Sequence, residues 1–174
     1  SKRTHKVLSI PTREPYISSS SSLFVHPKNK TMRGIVRAVN YSMDDKFNYT
    51  ARDPDGIVRT INYWCEFSAD AKTNQCYEIE YAAGVEPIPR HNVRVRGLED
   101  MRAVFVGTKL YAIAVDQENG EHAHPSIMLC HFSVNPVTKK YQISRILPVK
   151  FRHDKIQKNW TVFSDHQGKL FMCY

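Results

Sequence analysis

The sequence contains no apolar run of the roughly 18 residues needed to cross a bilayer as a helix, so no transmembrane span is expected. Its basic opening, Ser1 to Pro15, has no apolar stretch behind it, and no signal peptide is read there. Helical periodicity is almost missing: apolar residues come in short runs or in alternation. No Ser nucleophile elbow, P-loop or dinucleotide fingerprint occurs, which leaves those hydrolase, NTPase and nucleotide-cofactor classes without support. There are only four cysteines, at 65, 76, 130 and 173, and no two form a Cys-x-x-Cys pair. Such irregular spacing excludes a zinc ribbon. Cys65 and Cys76 lie about one hairpin apart, so a bond across that hairpin is conceivable. The reading adopted from sequence is buried free thiols on strands.

What is present suffices for a packed core. Of 174 residues, 41% are hydrophobic and 24% are charged. Lys+Arg number 25 against 17 Asp+Glu, a formal charge of +8. A balance this basic suits nucleic acid, an anionic membrane surface or anionic glycans. The charge is scattered rather than blocked, which disfavours nucleic acid. The densest basic stretch, Arg90, His91, Arg94 and Arg96, has Val93 and Val95 between its arginines and reads as a strand with one basic face. Asn-x-Ser/Thr acceptors stand at Asn29, Asn40, Asn48 and Asn159. About one or two would arise from background Ser/Thr frequency, and the excess leans toward a secretory history.

The apolar runs are Leu23–Val25, Gly34–Asn40, Ile57–Phe67, Cys76–Tyr81, Arg102–Val106, Lys109–Val115, Ile127–Val134, Tyr141–Leu147, Trp160–Ser164 and Lys169–Tyr174. They are rich in Val, Ile, Tyr and Phe, which suit a pleated surface. Turn residues separate them: Asp53-Pro54-Asp55-Gly56, Val106-Gly107-Thr108-Lys109 and Asp165-His166-Gln167-Gly168. About ten strands with short links make an all-β chain. The serine run from Ser18 to Ser22 reads equally as a linker or as a small-residue strand.

A repeat sets the expected architecture. Glu99 to Ile113 and Lys158 to Met172 both run from a polar pair through an alternating strand and a Gly turn to Lys-Leu-aromatic. The offset, from Lys109 to Lys169, is about 60 residues, room for four strands. A fainter copy begins near Ser20. Four-stranded antiparallel units at this period predict β-propeller blades. Residues 1–15 are then a basic N-terminal segment and 16–174 a partial propeller of about three blade units, the last incomplete. That is about half to three-fifths of a five-bladed ring, expected to belong to a longer protein or to be completed by further copies or chains.

Three segments carry a family resemblance. Gly97-Leu98-Glu99-Asp100-Met101-Arg102, with Val104, Phe105, Gly107 and Lys109-Leu110-Tyr111, resembles the Glu-Asp-Pro-Arg blade motif of five-bladed propeller glycosidases and β-mannoside phosphorylases. Gln157-Lys158-Asn159-Trp160, then Gly168-Lys169-Leu170-Phe171, looks like the Lys-Asn-Trp motif that opens their next blade. Val36-Arg37-Ala38-Val39-Asn40-Tyr41 is similar to an Arg-x-x-Asn-Tyr segment of related uncharacterised propellers, some from large DNA viruses or beside glycosyltransferase domains. The resemblance implies a glycan bound at one mouth of a central channel. It implies Asp100 as the general acid of a glycosidase or glycoside phosphorylase, with inorganic phosphate as co-substrate in the second case and no other cofactor. Arg37, Asn40, Arg102, His153, Lys158 and Asn159 are the expected substrate contacts. Met101 replaces the motif's proline, which would preset the backbone entering the strand.

Hydrolysis needs a second carboxylate across the scissile bond. Glu99 is expected on the opposite face of the strand from Asp100, and Asp44 and Asp154 lack support. Catalysis is therefore left open. The alternative is a non-catalytic surface or viral-particle protein with the same fold. Nucleic-acid binding through the basic face ranks third, with a steep salt dependence as its signature. Trp160 is expected in the core, and Trp64 between blades or against a sugar ring. His122 and His124 read as a surface loop rather than a metal site. Compartment is not fixed by sequence, with extracellular or virus-associated slightly ahead of cytoplasmic.

Overall fold

A computed structural model describes residues 10–46, 48–68, 74–86, 95–117, 126–150 and 160–173. The described residues form an all-β protein without helix, and hence without a helix long and apolar enough to cross a membrane. The strands are β1 (Ile17–Val25), β2 (Met32–Val39), β3 (Tyr41–Met43), β4 (Tyr49–Ala51), β5 (Val58–Phe67), β6 (Asn74–Glu78), β7 (Glu80–Tyr81), β8 (Val95–Arg96), β9 (Glu99–Val106), β10 (Lys109–Asp116), β11 (Ser126–Val134), β12 (Tyr141–Pro148), β13 (Thr161–Ser164) and β14 (Leu170–Cys173).

Two large sheets follow chain order. The first runs β1-β2-β5-β6, with β8 parallel to the start of β5. The second runs β9-β10-β11-β12, with β7 added parallel to β12. β13-β14 and β3-β4 are hairpins of their own, and among the described residues no sheet closes on itself. The first strands of the three main units stand next to one another, β1 against β9 and β9 against β13. Alternation assigns the faces. On β2 and β5, Ile35, Arg37, Thr60, Asn62 and Trp64 look toward the second sheet. There Ile35 and Trp64 meet Met101, Leu110, Ala112, Ala114, Met128 and Cys130. Val36, Ala38, Tyr63, Cys65 and Phe67 look the other way and are covered by Ile10 and Tyr16. The far face of the second sheet, Ile113, Val115 and Ile127, packs on Val162, Leu170 and Met172 of the β13–β14 hairpin. The second sheet is thus the middle layer of three.

The serine run is strand, not linker. Ser18 to Ser22 pair with β2 around a register irregularity. Ser22 Oγ accepts the Ala103 N–H at 3.1 Å, so a small polar side chain joins two strands that share no ladder. Trp64 is fully buried between the two sheets, its ring 5.5 Å from Phe24 and 4.4 Å from Tyr141, and has no surface to offer a sugar.

The expectation of four free thiols is corrected. Cys65 and Cys76 face each other across β5 and β6, with Cα atoms 4.2 Å apart, and form a disulfide. Pairing at a cross-strand position brings the Cβ atoms into bonding range. Cys130 is wholly buried, and burial pushes its thiol up to about 12. Native protein treated with a maleimide should therefore label the exposed Cys173 and leave Cys130 untouched, as peptide mapping would show. The double change Cys65→Ala, Cys76→Ala should cost about 2–3 kcal/mol in urea unfolding, the loop-closure scale for so short a span.

Candidate functional site

Polar residues from the first halves of β1, β5 and β9 converge on one guanidinium near the end of β2. Arg37 lies on the β2 face that looks at β9, and is 8% exposed. Its Nη2 forms an ion pair with Glu99 Oε1, and its Nη1 meets Asp100 Oδ1 at 3.0 Å. Nε donates to Thr60 Oγ1 at 3.2 Å, and Nη2 also reaches the Tyr41 hydroxyl at 3.4 Å. A buried guanidinium of this kind needs carboxylates and further acceptors to offset its desolvation. Ser20 Oγ donates to Asp100 Oδ1 at 3.1 Å, and Gln117 Nε2 donates to Glu99 Oε2 at 3.1 Å. Two strands of the first sheet, its edge strand β1, and β9 are tied together at this point.

Glu99 and Asp100 do not face opposite ways. Asp100 adopts φ 50°, in the left-handed region. Across the ladder, Glu99 opposes Val115 and Arg102 opposes Ile113, so Asp100 and Met101 share the single position of Ala114. This is a β-bulge, and the extra residue breaks the alternation. Both carboxylates consequently reach Arg37. They differ in exposure: the Glu99 side chain is 11% exposed and that of Asp100 31%. Asp100 also opens onto a cleft of about 240 Å³, counted out to solvent, lined by Arg102, Ile113, Ala114, Val115, Ile127 and Trp160. Much of that space is open to solvent and its enclosed part has room for about one water molecule, so the feature is a shallow surface cleft rather than a ligand pocket.

Gly97 and Leu98 set the approach to this bulge. Gly97 has φ 93°, and a Cβ there would lie 2.2 Å from the Thr60 carbonyl oxygen. Asn62 Nδ2 donates to the Leu98 carbonyl at 2.8 Å, and Leu98 is fully buried. β8 and β9 are thereby clamped onto β5 beside Thr60.

The expected site residues are divided by the fold. Arg37 and Asp100 are in contact, and Arg102 shares the cleft with Asp100. Asn40 is not at the cleft. It is fully buried, with Nδ2 donating to Asp53 Oδ2 at 2.5 Å and to the Ile57 carbonyl at 2.8 Å, and Oδ1 accepting the Arg59 N–H at 2.5 Å. It locks the turn before β5. Arg59 in turn holds Asp55 and Asp53 at 2.5 and 2.9 Å. The bond from Arg59, then the Ile57 N–H, bring the exposed Asp55 carboxyl down to about 2. Trp160 is only partly buried: it packs beside the Val162 cluster and also lines the cleft, so it is not a wholly core residue as expected. Asp44 caps its own hairpin, accepting from Lys46 and Asn48. His153, Lys158 and Asn159, with Asp154, His122, His124, Arg90, His91 and Arg94, lie outside the described residues.

Sequence reasoning misses Ser20, Tyr41, Thr60 and Gln117 as partners of the cluster. Only Thr60 carries a signal: it shares a period of two with Asn62 and Trp64 on β5. No family model, curated protein or solved structure matches the chain.

Proposed function

We propose that this chain is part of a β-propeller that binds a glycan at the channel mouth, with Asp100 and Arg102 as contacts and Arg37 holding Asp100 in place. The observation that carries this reading is the partly exposed Asp100 carboxylate, fixed by Arg37 and Ser20 at the edge of a cleft that also holds Arg102 and Trp160. A carboxylate acceptor, a guanidinium donor and an indole are the groups that recognise sugar hydroxyls and ring faces. The propeller part of the proposal is supported by consecutive sheets whose first strands lie side by side. It is also supported by the resemblance of Glu99-Asp100-Met101-Arg102 to the glycosidase and phosphorylase motif.

The non-catalytic form of this reading has a specific observation in its favour. Glu99 and Asp100 share one arginine, and Glu99 is buried with Gln117 on its second oxygen. Neither carboxylate of the pair stands across a cleft from the other, as paired acid and base would. We therefore place binding ahead of turnover.

The test is calorimetric titration of β-mannosides and of a wider oligosaccharide panel, with a parallel assay for sugar release with and without phosphate. Asp100→Asn is the informative variant, because Asn tolerates φ 50° and keeps an acceptor while losing the charge. Wild type should bind at least one glycan, and Asp100→Asn should bind it about tenfold or more weakly, the scale of one charge-assisted hydrogen bond. Absence of binding across the panel, or equal affinity of both proteins, would defeat the proposal.

A further inference from the structure

We infer that Asn29 and Asn48 are sites of N-linked glycosylation and that Asn40, which carries the same acceptor pattern, is not. Three of the four Asn-x-Ser/Thr sequences fall on described residues, and the fold separates them sharply. Asn29 is exposed in the turn between β1 and β2. That turn is closed by the Thr31 carbonyl accepting from His26 N–H at 2.9 Å and the His26 carbonyl accepting from Lys30 N–H at 3.0 Å. The Thr31 hydroxyl donates to Asn29 Oδ1 at 2.6 Å. The acceptor hydroxyl and the carboxamide are thus already in contact, through the oxygen and not the nitrogen to be modified. Asn48 is exposed in the β3–β4 hairpin, with Thr50 exposed on β4. One Nδ2 hydrogen of Asn48 goes to Asp44 Oδ2 at 2.9 Å, which leaves the second for substitution.

Asn40 has no such latitude. Its side chain is fully buried beneath the turn before β5, with Nδ2 donating to both Asp53 and Ile57. A glycan on Nδ2 removes one of those two hydrogens and brings a bulky polar group into a closed space. A chain modified there could not complete the turn before β5. The Cys65–Cys76 disulfide points independently to an oxidising route through the cell, the one in which this modification is made.

The chemistry is a group transfer without redox change. The bond between the anomeric carbon of a polyprenyl-diphosphate-linked oligosaccharide and its diphosphate oxygen breaks. A bond from that carbon to Asn Nδ2 forms, the amide gives up one proton to the transferase, and the polyprenyl diphosphate leaves. Asn29 lies beyond the Val25–Met32 end of the β1–β2 ladder, whereas Arg37 and Asp100 sit toward its Ile17–Val39 end. A glycan at Asn29 therefore leaves the Asp100 cleft uncovered.

The experiment is site mapping of the full chain from its natural source, released with peptide N-glycosidase in heavy-oxygen water so that each occupied Asn becomes a labelled Asp. Label is expected at Asn29 and Asn48 and not at Asn40. An unlabelled Asn29 or Asn48 overturns the inference for that site, and label at Asn40 in folded protein overturns the burial argument. In translation with secretory microsomes, with the chain placed behind a cleavable signal peptide, Thr31→Ala and Thr50→Ala should each abolish one gel shift while the other remains. Either variant retaining the full wild-type shift would likewise refute its site.

Discussion

Arg37→Leu should be among the most damaging single changes in the protein, lowering stability by about 3–5 kcal/mol, the scale for breaking a buried ion pair by removing one partner. The main cause is the charge the substitution strands, rather than the hydrogen bonds it removes. Glu99 is 8% exposed and faces Arg37 with one oxygen and Gln117 with the other. Without the guanidinium, a buried carboxylate keeps one neutral donor, and a second carboxylate follows it in sequence. Asp100 contributes less to the loss, because water reaches part of its side chain and screens it. Adding Glu99→Gln to Arg37→Leu removes the stranded charge and should recover a substantial part of the deficit, whereas adding Asp100→Asn should recover little. Urea unfolding of the four proteins reads both comparisons. A single-variant loss below about 1 kcal/mol, the scale of an exposed pair, would show that the cluster is not held as described.

The same cluster marks where sequence reading stops. β2, β5 and β9 to β12 are legible because each combines apolar alternation with turn residues at its ends, so local chemistry and tertiary demand agree. β1 is ambiguous in sequence because the use of its serines is tertiary. Ser20 and Ser22 bond to Asp100 and Ala103, some 80 residues away. The disulfide escapes a reading by spacing, because spacing suggests a hairpin but does not fix register. Shifting β6 by one residue would turn Cys76 to the other face. Glu99 escapes for a related reason. Strict alternation puts it opposite Asp100, and nothing local announces that Asp100 takes a left-handed conformation and admits a bulge. Motif resemblance picks out Arg37, Asp100 and Arg102, and their meeting depends on how two sheets stack. That stacking is the consequence of the Ile35, Trp64, Met101 and Leu110 core.

Gly97→Ala should destabilise the protein by about 3 kcal/mol or more, through strain at positive φ combined with a backbone collision. At φ 93° an L side chain is already disfavoured, and the added Cβ would lie 2.2 Å from the Thr60 oxygen and 3.1 Å from its carbonyl carbon. Neither side can yield cheaply. Thr60 is paired with Val39 in the β2–β5 ladder, and its hydroxyl accepts from Arg37. On the other side, Leu98 is fully buried and its carbonyl is held by Asn62. Relief requires the segment entering β9 to lift from β5, which withdraws Glu99 and Asp100 from Arg37. Gly84→Ala is the control, since Gly84 also has positive φ, 77°, but an added Cβ meets nothing within 4 Å. It should lose only the conformational part, about 1–2 kcal/mol. The difference between the two variants in urea isolates the close approach of this segment to Thr60. Equal losses would mean that β8 and β9 do not pack against β5 as tightly as the geometry requires. A larger loss at Gly97 ties the conformation of one glycine to the position of the carboxylate proposed to meet the glycan.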